Sequence, residues 1–435
     1  SPQDEIIESM LNIFYDKEKC MLKPYASSII SIRTGGGKTV IFSEIVRQYL
    51  SNHDKKVLVM THRIELCKQT SKVLSEFGVD NKVIDSKANL DDQSKYSCFV
   101  AMVETLNNRL NDDKLDISGI GLVIIDEAHY NSFTKLFKFF SNSFILGVTA
   151  TPLSSNIELP MTDNYDELIV GESIQDLIKN EFLASANMYS FNVGLTSLVI
   201  GANGDYTVKS SEDLYTNNDM LSKLLVSYEE KCKGLKTLIF NNGINTSLIV
   251  YDMFKTAGYD VAHLDNTASK KERARILNWF KITPGAILTS VSILTTGFDE
   301  PTVESIILNR ATKSLTLYYQ MIGRGSRILK NKSHFNVIDL GNNFHRFGEW
   351  GIDLDWQRIF KSPNYYLDSI ITDEEIESNF RYEMPDELRE EFQNSKEVYF
   401  DVNKTYVESI RKGESSKVVL ERSISQHAKI CIENS

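Results

Sequence analysis

Two groups of residues in this 435-residue chain could do phosphate chemistry, and a long stretch of sequence separates them. The early group is Thr34-Gly35-Gly36-Gly37-Lys38-Thr39, followed by Asp126-Glu127-Ala128-His129. Small glycines let backbone N–H groups approach phosphate oxygens, and a helix starting beside them adds its positive end. Lys38 has the reach for the β- and γ-phosphates of ATP, and the Thr39 hydroxyl suits Mg²⁺. Asp126 would hold the same Mg²⁺ partly through water, while Glu127 would orient and deprotonate the attacking water. The late group is Gln320-Met321-Ile322-Gly323-Arg324-Gly325-Ser326-Arg327. Arg324 and Arg327 fall three apart, on one face if a helix continues through them. Together they could neutralise charge on the transferred phosphoryl group. The plainer alternative is a basic helix end favoured by the helix dipole. If both groups serve one nucleotide, they face each other across a cleft that ATP closes.

Elements must hold these groups in place. From Ala26 to Thr151 short apolar runs alternate with amphipathic ones, as βα units do. Strands are expected at Ser28–Arg33, Lys56–Met60, Cys98–Val103, Leu122–Asp126 and Phe144–Thr149, with helices such as Val40–Leu50 and Ile64–Phe77 between them. The phosphate loop then joins a strand to a helix, although Ile32 stands where the strict eight-residue pattern has Gly. Thr149-Ala150-Thr151-Pro152 falls at a strand end, where hydroxyls could bond the acidic site and report its state. The rhythm returns with strands at Lys236–Asn241, Val261–Leu264, Ala286–Thr289, Ser305–Leu308 and Phe335–Leu340. Helices are expected at Ser247–Thr256, Lys271–Phe280 and Leu315–Ile322. Apolar strands with helical crossovers imply α/β domains with parallel sheets. The boundaries read as a first domain over 1–190, an irregular join over 191–225, a second domain over 226–345 and a mostly helical extension over 346–435. Gly201-Ala202-Asn203-Gly204-Asp205 marks a loop within the join.

Composition sets limits around this. The apolar fraction of 42% and charged fraction of 25% are those of an ordinary globular protein. No apolar run reaches the ~18 residues of a membrane span, and no secretory leader is visible. Five scattered cysteines without a C-x-x-C pair argue against a disulfide framework or zinc ribbon and fit a reducing cytoplasm. The net charge of −11 argues against a whole-surface polyanion binder but leaves room for a local basic channel. Between Asp373 and Glu391 nine acidic residues stand against Arg381 and Arg389. That run reads as a solvated face, with a protein partner or autoinhibition as the alternative.

The ordered series TGGGKT, THRIELCKQ, DEAH, TATP, TTGFDEP and QMIGRGSR resembles the core of a superfamily 2 helicase. Its later part, ILTTGFDEPTVESIILNRATKSLTLYYQMIGRGSR, is similar to the RadD-like branch of DEAD/DEAH-box DNA repair helicases. The resemblance covers Gln3 to Asn343 and implies two tandem RecA-like domains. It implies further roles: Gln3 as the adenine contact, Gly297 and Asp299 as coupling to ribose and γ-phosphate, and Gln320 as part of the catalytic set. Thr61, His62, Arg63, Thr105, Asn241, Thr295 and Thr296 resemble nucleic-acid contacts. His129, Thr149 and Thr151 resemble the coupling set, with His129 meeting Gln320 on closure. Hydroxyls, N–H groups and Arg bind phosphates without reading bases, as a motor on a backbone requires. Three departures stand out. Ser326 replaces a common apolar residue, Arg310-Ala311-Thr312 replaces Arg-Pro-Thr, and the tail lacks the zinc-binding cysteines of some relatives.

The expected activity is ATP-driven movement on nucleic acid, DNA before RNA. A clamp or motor subunit of a restriction or defence complex, without strand separation, is the second reading. RNA remodelling is the third.

Overall fold

Strands that are apolar throughout and end in polar residues set the architecture. Ile120–Asp126 is the extreme case, with all seven residues buried. A strand covered on both faces needs helical layers on either side. The computed structural model describes Asp4, Ile7, residues 27–32, 37–85, 95–112, 115–117, 119–154, 159–191, 193–291, Leu294, Phe298, residues 300–370, Thr372, Asp373 and Glu375.

The first sheet comprises β1 (Ser27–Ser31), β2 (Lys56–Thr61), β3 (Asn81–Ile84), β4 (Cys98–Met102), β5 (Ile120–Asp126), β6 (Phe144–Thr149) and β7 (Glu167–Val170). Their order is β3-β4-β2-β5-β6-β1-β7, parallel throughout. Among the crossovers are α1 (Lys38–Asn52), α2 (Ile64–Glu76) and α3 (Val103–Asn111), with α4 (Ile174–Lys179) following β7. Helix α1 buries Ile41, Phe42, Ile45, Val46 and Tyr49, an i, i+4 stripe that packs one sheet face.

The second sheet comprises β8 (Ser185–Ser190), β9 (Thr237–Asn241), β10 (Val261–Leu264), β11 (Ile287–Val291), β12 (Ser305–Asn309) and β13 (His334–Asp339). Its order is β10-β11-β9-β12-β13-β8, again parallel. Strand β8 corrects the domain boundary expected at 190. Its residues Ser185–Ser190 pair with His334–Asp339 and so belong to the second sheet.

The expected irregular join is also more ordered than its sequence suggests. Helices α5 (Val208–Tyr215) and α6 (Asn218–Lys231) start on capping side chains, Thr207 and Asn217. They bury Tyr215, Leu224 and Tyr228 in the second sheet's core. The Gly201–Asp205 loop docks through Asp205. Its carboxylate accepts from the Thr312 hydroxyl and Lys313 N–H, both at 2.8 Å, and pairs with Arg310 at 3.3 Å. The remaining helices are α7 (Ile244–Thr256), α8 (Lys270–Ile282) and α9 (Leu315–Ile322), then α10 (Asn343–Phe347), α11 (Trp356–Lys361) and α12 (Pro363–Asp368).

Both sheets lie in one compact unit, Ser1–Ile370. Helices α10–α12 therefore belong with the sheets rather than with a separate extension beginning at 346. Trp356 is buried against Tyr319 of α9, and Gln357 donates to the Leu168 carbonyl of β7 at 2.8 Å. The segment thus ties the second lobe's α9 to the first lobe. The acidic run from Asp373 to Glu391 lies outside the described residues, apart from Asp373 and Glu375.

Candidate ATP and nucleic-acid site

Parallel strands deliver their C-terminal ends to one edge, where ligands of open α/β sheets bind. Strands β1, β6 and β5 lie side by side there, stitched by Ile32 N–H to Thr149 O at 2.8 Å and Ala128 N–H to Val148 O at 3.0 Å. Gly37 starts α1 at φ 78°, a left-handed conformation that glycine takes without strain. Lys38 follows it, and its Nζ lies 2.8 Å from Glu127 Oε1. Lys38 and the Glu127 carboxylate are thus neighbours across two strand ends.

Glu127 stands at φ 55°, a sparsely populated region for a side chain of this size. The turn aims the carboxylate back at Lys38 instead of along β5. Burial pushes the Glu127 pKa up, but Lys38 and the nearby His129 outweigh it, and the carboxyl is held below its usual range. Burial drives Asp126 the other way, with the Glu127 charge adding to it. Lys38 thus favours the ionised form of Glu127, while burial favours the protonated form of Asp126. Among the described residues, buried Glu127 Oε2 has no hydrogen-bond partner, and His129 Nδ1 lies 3.5 Å from it. The Thr39 hydroxyl, the Asp126 carboxylate and this Glu127 oxygen are hard donors of the kind a small divalent cation such as Mg²⁺ takes.

His129 is buried, with Nδ1 2.9 Å from Thr149 Oγ1. The Thr149 hydroxyl donates to Thr151 O at 3.1 Å and accepts Thr151 N–H at 3.2 Å. Its single proton is therefore spent, and His129 must donate from Nδ1. That tautomer leaves Nε2 as an acceptor, and it has no partner among the described residues. Gln320 Nε2, a buried donor on α9, has none among them either. The two atoms are chemically complementary. Across the cleft, the Thr151 hydroxyl meets the Thr316 hydroxyl of α9 at 2.7 Å.

The late group differs from its expected geometry. Helix α9 ends at Ile322 with Gly323 as cap, so Arg324 and Arg327 do not share a helical face. Gly325 packs against the Phe335 ring, where a Cβ would come within 2.3 Å, and the chain must turn there. Arg324 donates to the Phe298 carbonyl, inside the segment flanked by Gly297 and Asp299. Arg327 forms a backbone bridge with Leu183. Two departures from the family pattern are locally satisfied. The buried Ser326 hydroxyl donates to Gly323 O at 2.8 Å, and Ala311 packs in the second core.

Two expected nucleic-acid contacts are turned inward. Asn241 is fully buried; its amide donates to Thr289 Oγ1 at 2.8 Å and accepts from Asn309 at 2.8 Å. Thr61 is buried as well, and its hydroxyl donates to Arg63 O at 3.0 Å, fixing the turn into α2. Both side chains shape the backbone rather than present a group to a strand. Their strand-end positions were legible in sequence, but the direction of the side chains was not. His62 and Arg63 follow on that turn, and Thr105 is half-buried on α3. Gln3, Thr34, Gly35, Gly36, Thr295, Thr296, Gly297 and Asp299 lie outside the described residues. Sequence reasoning missed Asp205, Thr316 and Tyr130. None carries a local signal, because each acts through a neighbour distant in the chain or perpendicular to the strand.

Residues 1–154 match the family profile described as "Type III restriction enzyme, res subunit", and residues 216–329 match "Helicase conserved C-terminal domain". A Saccharomyces cerevisiae protein, IRC3, classed as an ATP-dependent helicase, is 31% identical over 71% of this chain and 48% of its own length. A 51.5 kDa protein of a Lactococcus phage is 28% identical over 75% of this chain and 68% of its own. A type I restriction enzyme EcoAI endonuclease subunit of Escherichia coli is 22% identical over 75% and 45% respectively. The chain thus spans about half the length of IRC3 and of the EcoAI subunit. In fold it resembles the DNA-bound type ISP restriction-modification enzyme LlaBIII, with TM-score 0.59 and 16% identity over 78% of this chain and 27% of that one. It also resembles S. cerevisiae Dbp5 bound to RNA and ADP BeF3, with TM-score 0.51 and 15% identity over 79% and 89%.

Proposed function

We propose that this chain, which belongs to the superfamily 2 helicases, hydrolyses ATP between its two parallel-sheet lobes to move along nucleic acid, DNA in preference to RNA. The observation that carries the reading is the 2.8 Å contact between Lys38 and Glu127, set beside the Thr151–Thr316 bond that crosses the cleft. The first supplies phosphate binding and water activation in one place. The second links that place to the helix preceding Arg324.

The chemistry follows from these contacts. The γ-phosphate of ATP competes with Glu127 for Lys38, and a released Glu127 is free to orient water. Mg²⁺, held by Thr39 and through water by Asp126, would neutralise charge on the phosphates. Arg324 leaves the Phe298 carbonyl to reach the transferred group, and Gln320 meets the His129 acceptor. Closure then satisfies two buried atoms that lack partners, a free-energy gain available only in the closed state. Arg63 and backbone N–H groups grip phosphates; the base-blind grip suits a motor. Asp126–His129 and the Gly37–Thr39 loop end serve in this reading as a DEAH box and a Walker A motif.

A second reading is translocation on duplex DNA without strand separation, as a motor within a larger restriction-type assembly. It is favoured by the match of residues 1–154 to a restriction-subunit profile and by the EcoAI relative. The RadD-like motif series implies repair as the setting instead. We place the protein in a reducing compartment, with the acidic run near Asp373 as its contact for a protein partner.

ATP turnover should be measured with no nucleic acid, with single-stranded DNA, with duplex DNA and with RNA, beside strand displacement on a forked duplex. DNA-stimulated turnover that Lys38→Ala abolishes supports the proposal. Stimulation without displacement selects the second reading. Turnover insensitive to every nucleic acid would overturn both.

A further inference from the structure

We propose that Tyr130 is a positioning residue that carries occupancy of the nucleic-acid groove to the water-activating carboxylate, through the ring stack His62–Tyr130–His129. The proposal rests on the helicase reading above and names how its two halves communicate within the first lobe.

Three observations meet at this side chain. Its ring centroid is 4.5 Å from that of His62 and 4.3 Å from that of His129, tilted by 41° and 40°. It therefore sits between the turn after β2, which carries Arg63, and the acidic turn after β5. Its backbone N–H donates to Glu127 O at 3.1 Å, closing the turn that holds Glu127 in its left-handed conformation. Any shift of Tyr130 is thus felt directly by the backbone of Glu127.

The third observation concerns His62. Among the described residues, neither of its buried ring nitrogens has a hydrogen-bond partner. Its packing against Tyr130 is thus the described contact that positions the imidazole. Burial holds His62 neutral, with its pKa pushed down to about 4, and a neutral ring stacks without the desolvation cost of a cation. The Tyr130 hydroxyl is raised above its usual acidity range first by burial, then by the Glu127 charge, with Arg63 opposing. It thus lies within the fields of both the hydrolytic glutamate and the candidate backbone-gripping arginine.

Movement of the His62–Arg63 turn on a strand would tilt the His62 ring and press it on Tyr130. Packed rings transmit such a shift because the interior has no slack to absorb it. Tyr130 in turn bears on His129 and on the Glu127 turn. No proton moves along this path. Only the position of Glu127 and His129 changes.

The test is steady-state ATP turnover with and without oligodeoxythymidylate, comparing Tyr130→Phe, Tyr130→Leu and Tyr130→Ala. Phe keeps the ring, Leu keeps apolar volume for folding, and Ala keeps neither. With Leu or Ala, kcat at saturating oligonucleotide should fall about tenfold, the factor that loss of one to two aromatic contacts supports. The KM for ATP and the Kd for the oligonucleotide should stay within about threefold, since neither ligand touches Tyr130 in this account. Tyr130→Phe should keep at least half of wild-type stimulation. Three results would overturn the proposal: full stimulation in Leu and Ala, equal losses of basal and stimulated turnover, or a Phe variant as defective as Ala. If wild-type turnover ignores the oligonucleotide, duplex DNA and RNA alike, the helicase reading itself fails. If wild type responds and the variants match it, only the Tyr130 inference does.

Discussion

The hydrogen bond between Thr151 and Thr316 is a single point at which the two lobes can be weakened without touching either half of the ATP site. The two hydroxyls are 2.7 Å apart, but their surroundings differ. Thr151 is fully buried, whereas Thr316 is partly exposed on α9. Thr316→Val keeps shape and strands the Thr151 hydroxyl where water cannot reach it. That cost is about 1–3 kcal/mol, the desolvation penalty of an unsatisfied buried polar group. Thr151→Val strands Thr316 instead, which can turn to solvent, so the loss is only about 0.5–1 kcal/mol. Val at both positions removes both polar groups and should recover most of the Thr316→Val loss. The bond already stands here while His129 and Gln320 lack each other; if it is kept on closure and broken when the lobes separate, Thr316→Val favours separation and lowers nucleic-acid-stimulated kcat by a factor of about 5–150. Thr151→Val should cost about 2–5-fold. The assay is stimulated ATP turnover at saturating ATP for the four proteins of the cycle, with an inter-lobe fluorescence distance as the second readout. Additive losses in the double variant would refute the reasoning, as would equal losses in the two single ones.

Three further outcomes are expected. Arg324→Ala should leave nucleotide affinity within a fewfold and reduce hydrolysis by roughly 10³ or more, the scale of arginine fingers; undiminished turnover by the purified variant removes Arg324 from that role. Asp205→Asn leaves buried Arg310 without its counter-charge and should destabilise by about 3 kcal/mol, at the low end for a broken buried pair because Asp205 is partly exposed; a urea midpoint equal to wild type rejects this. His62 and His129 are both held near a pKa of about 4, below the unfolded value, so their stabilising contribution is complete above pH 6.5 and is lost as pH falls toward 4. Asp126, raised in the fold, works in the opposite sense, which leaves a net loss of about 1.4 kcal/mol per pH unit if one extra proton binds the unfolded chain. Urea midpoints measured at pH 6.5, 5.5 and 4.5 should decline in that order, and a rise on acidification contradicts the balance.

How much of this was legible depended on where each residue stood. Strands β1, β2, β4, β5 and β6 were readable because central parallel strands are buried on both faces and leave continuous apolar runs. Strands β3, β7 and β8 were not; each is an edge strand, and Asn81–Ile84, Glu167–Val170 and Ser185–Ser190 mix polar with apolar residues. The TGGGKT and DEAH stretches stood out because the nucleotide chemistry proposed for them fixes residue type and spacing. The motif series likewise carried the helicase resemblance before any coordinates.

Only the tertiary structure decided direction and partnership. Thr61 and Asn241 look like strand-end contacts in sequence, yet the fold turns the hydroxyl inward to hold a turn and the amide inward to tie neighbouring strands. Arg324 and Arg327 share a helical spacing but not a helix, since Gly325 must lie flat on Phe335. Thr151 and Thr316, or Asp205 and Arg310, meet across more than a hundred residues. Sequence alone determined which groups this chain offers for the proposed nucleotide chemistry, because such chemistry demands particular atoms in short order along the chain. Which of those groups face a ligand, and which are spent on holding the others, was settled by packing, where a side chain's direction depends on every neighbour at once.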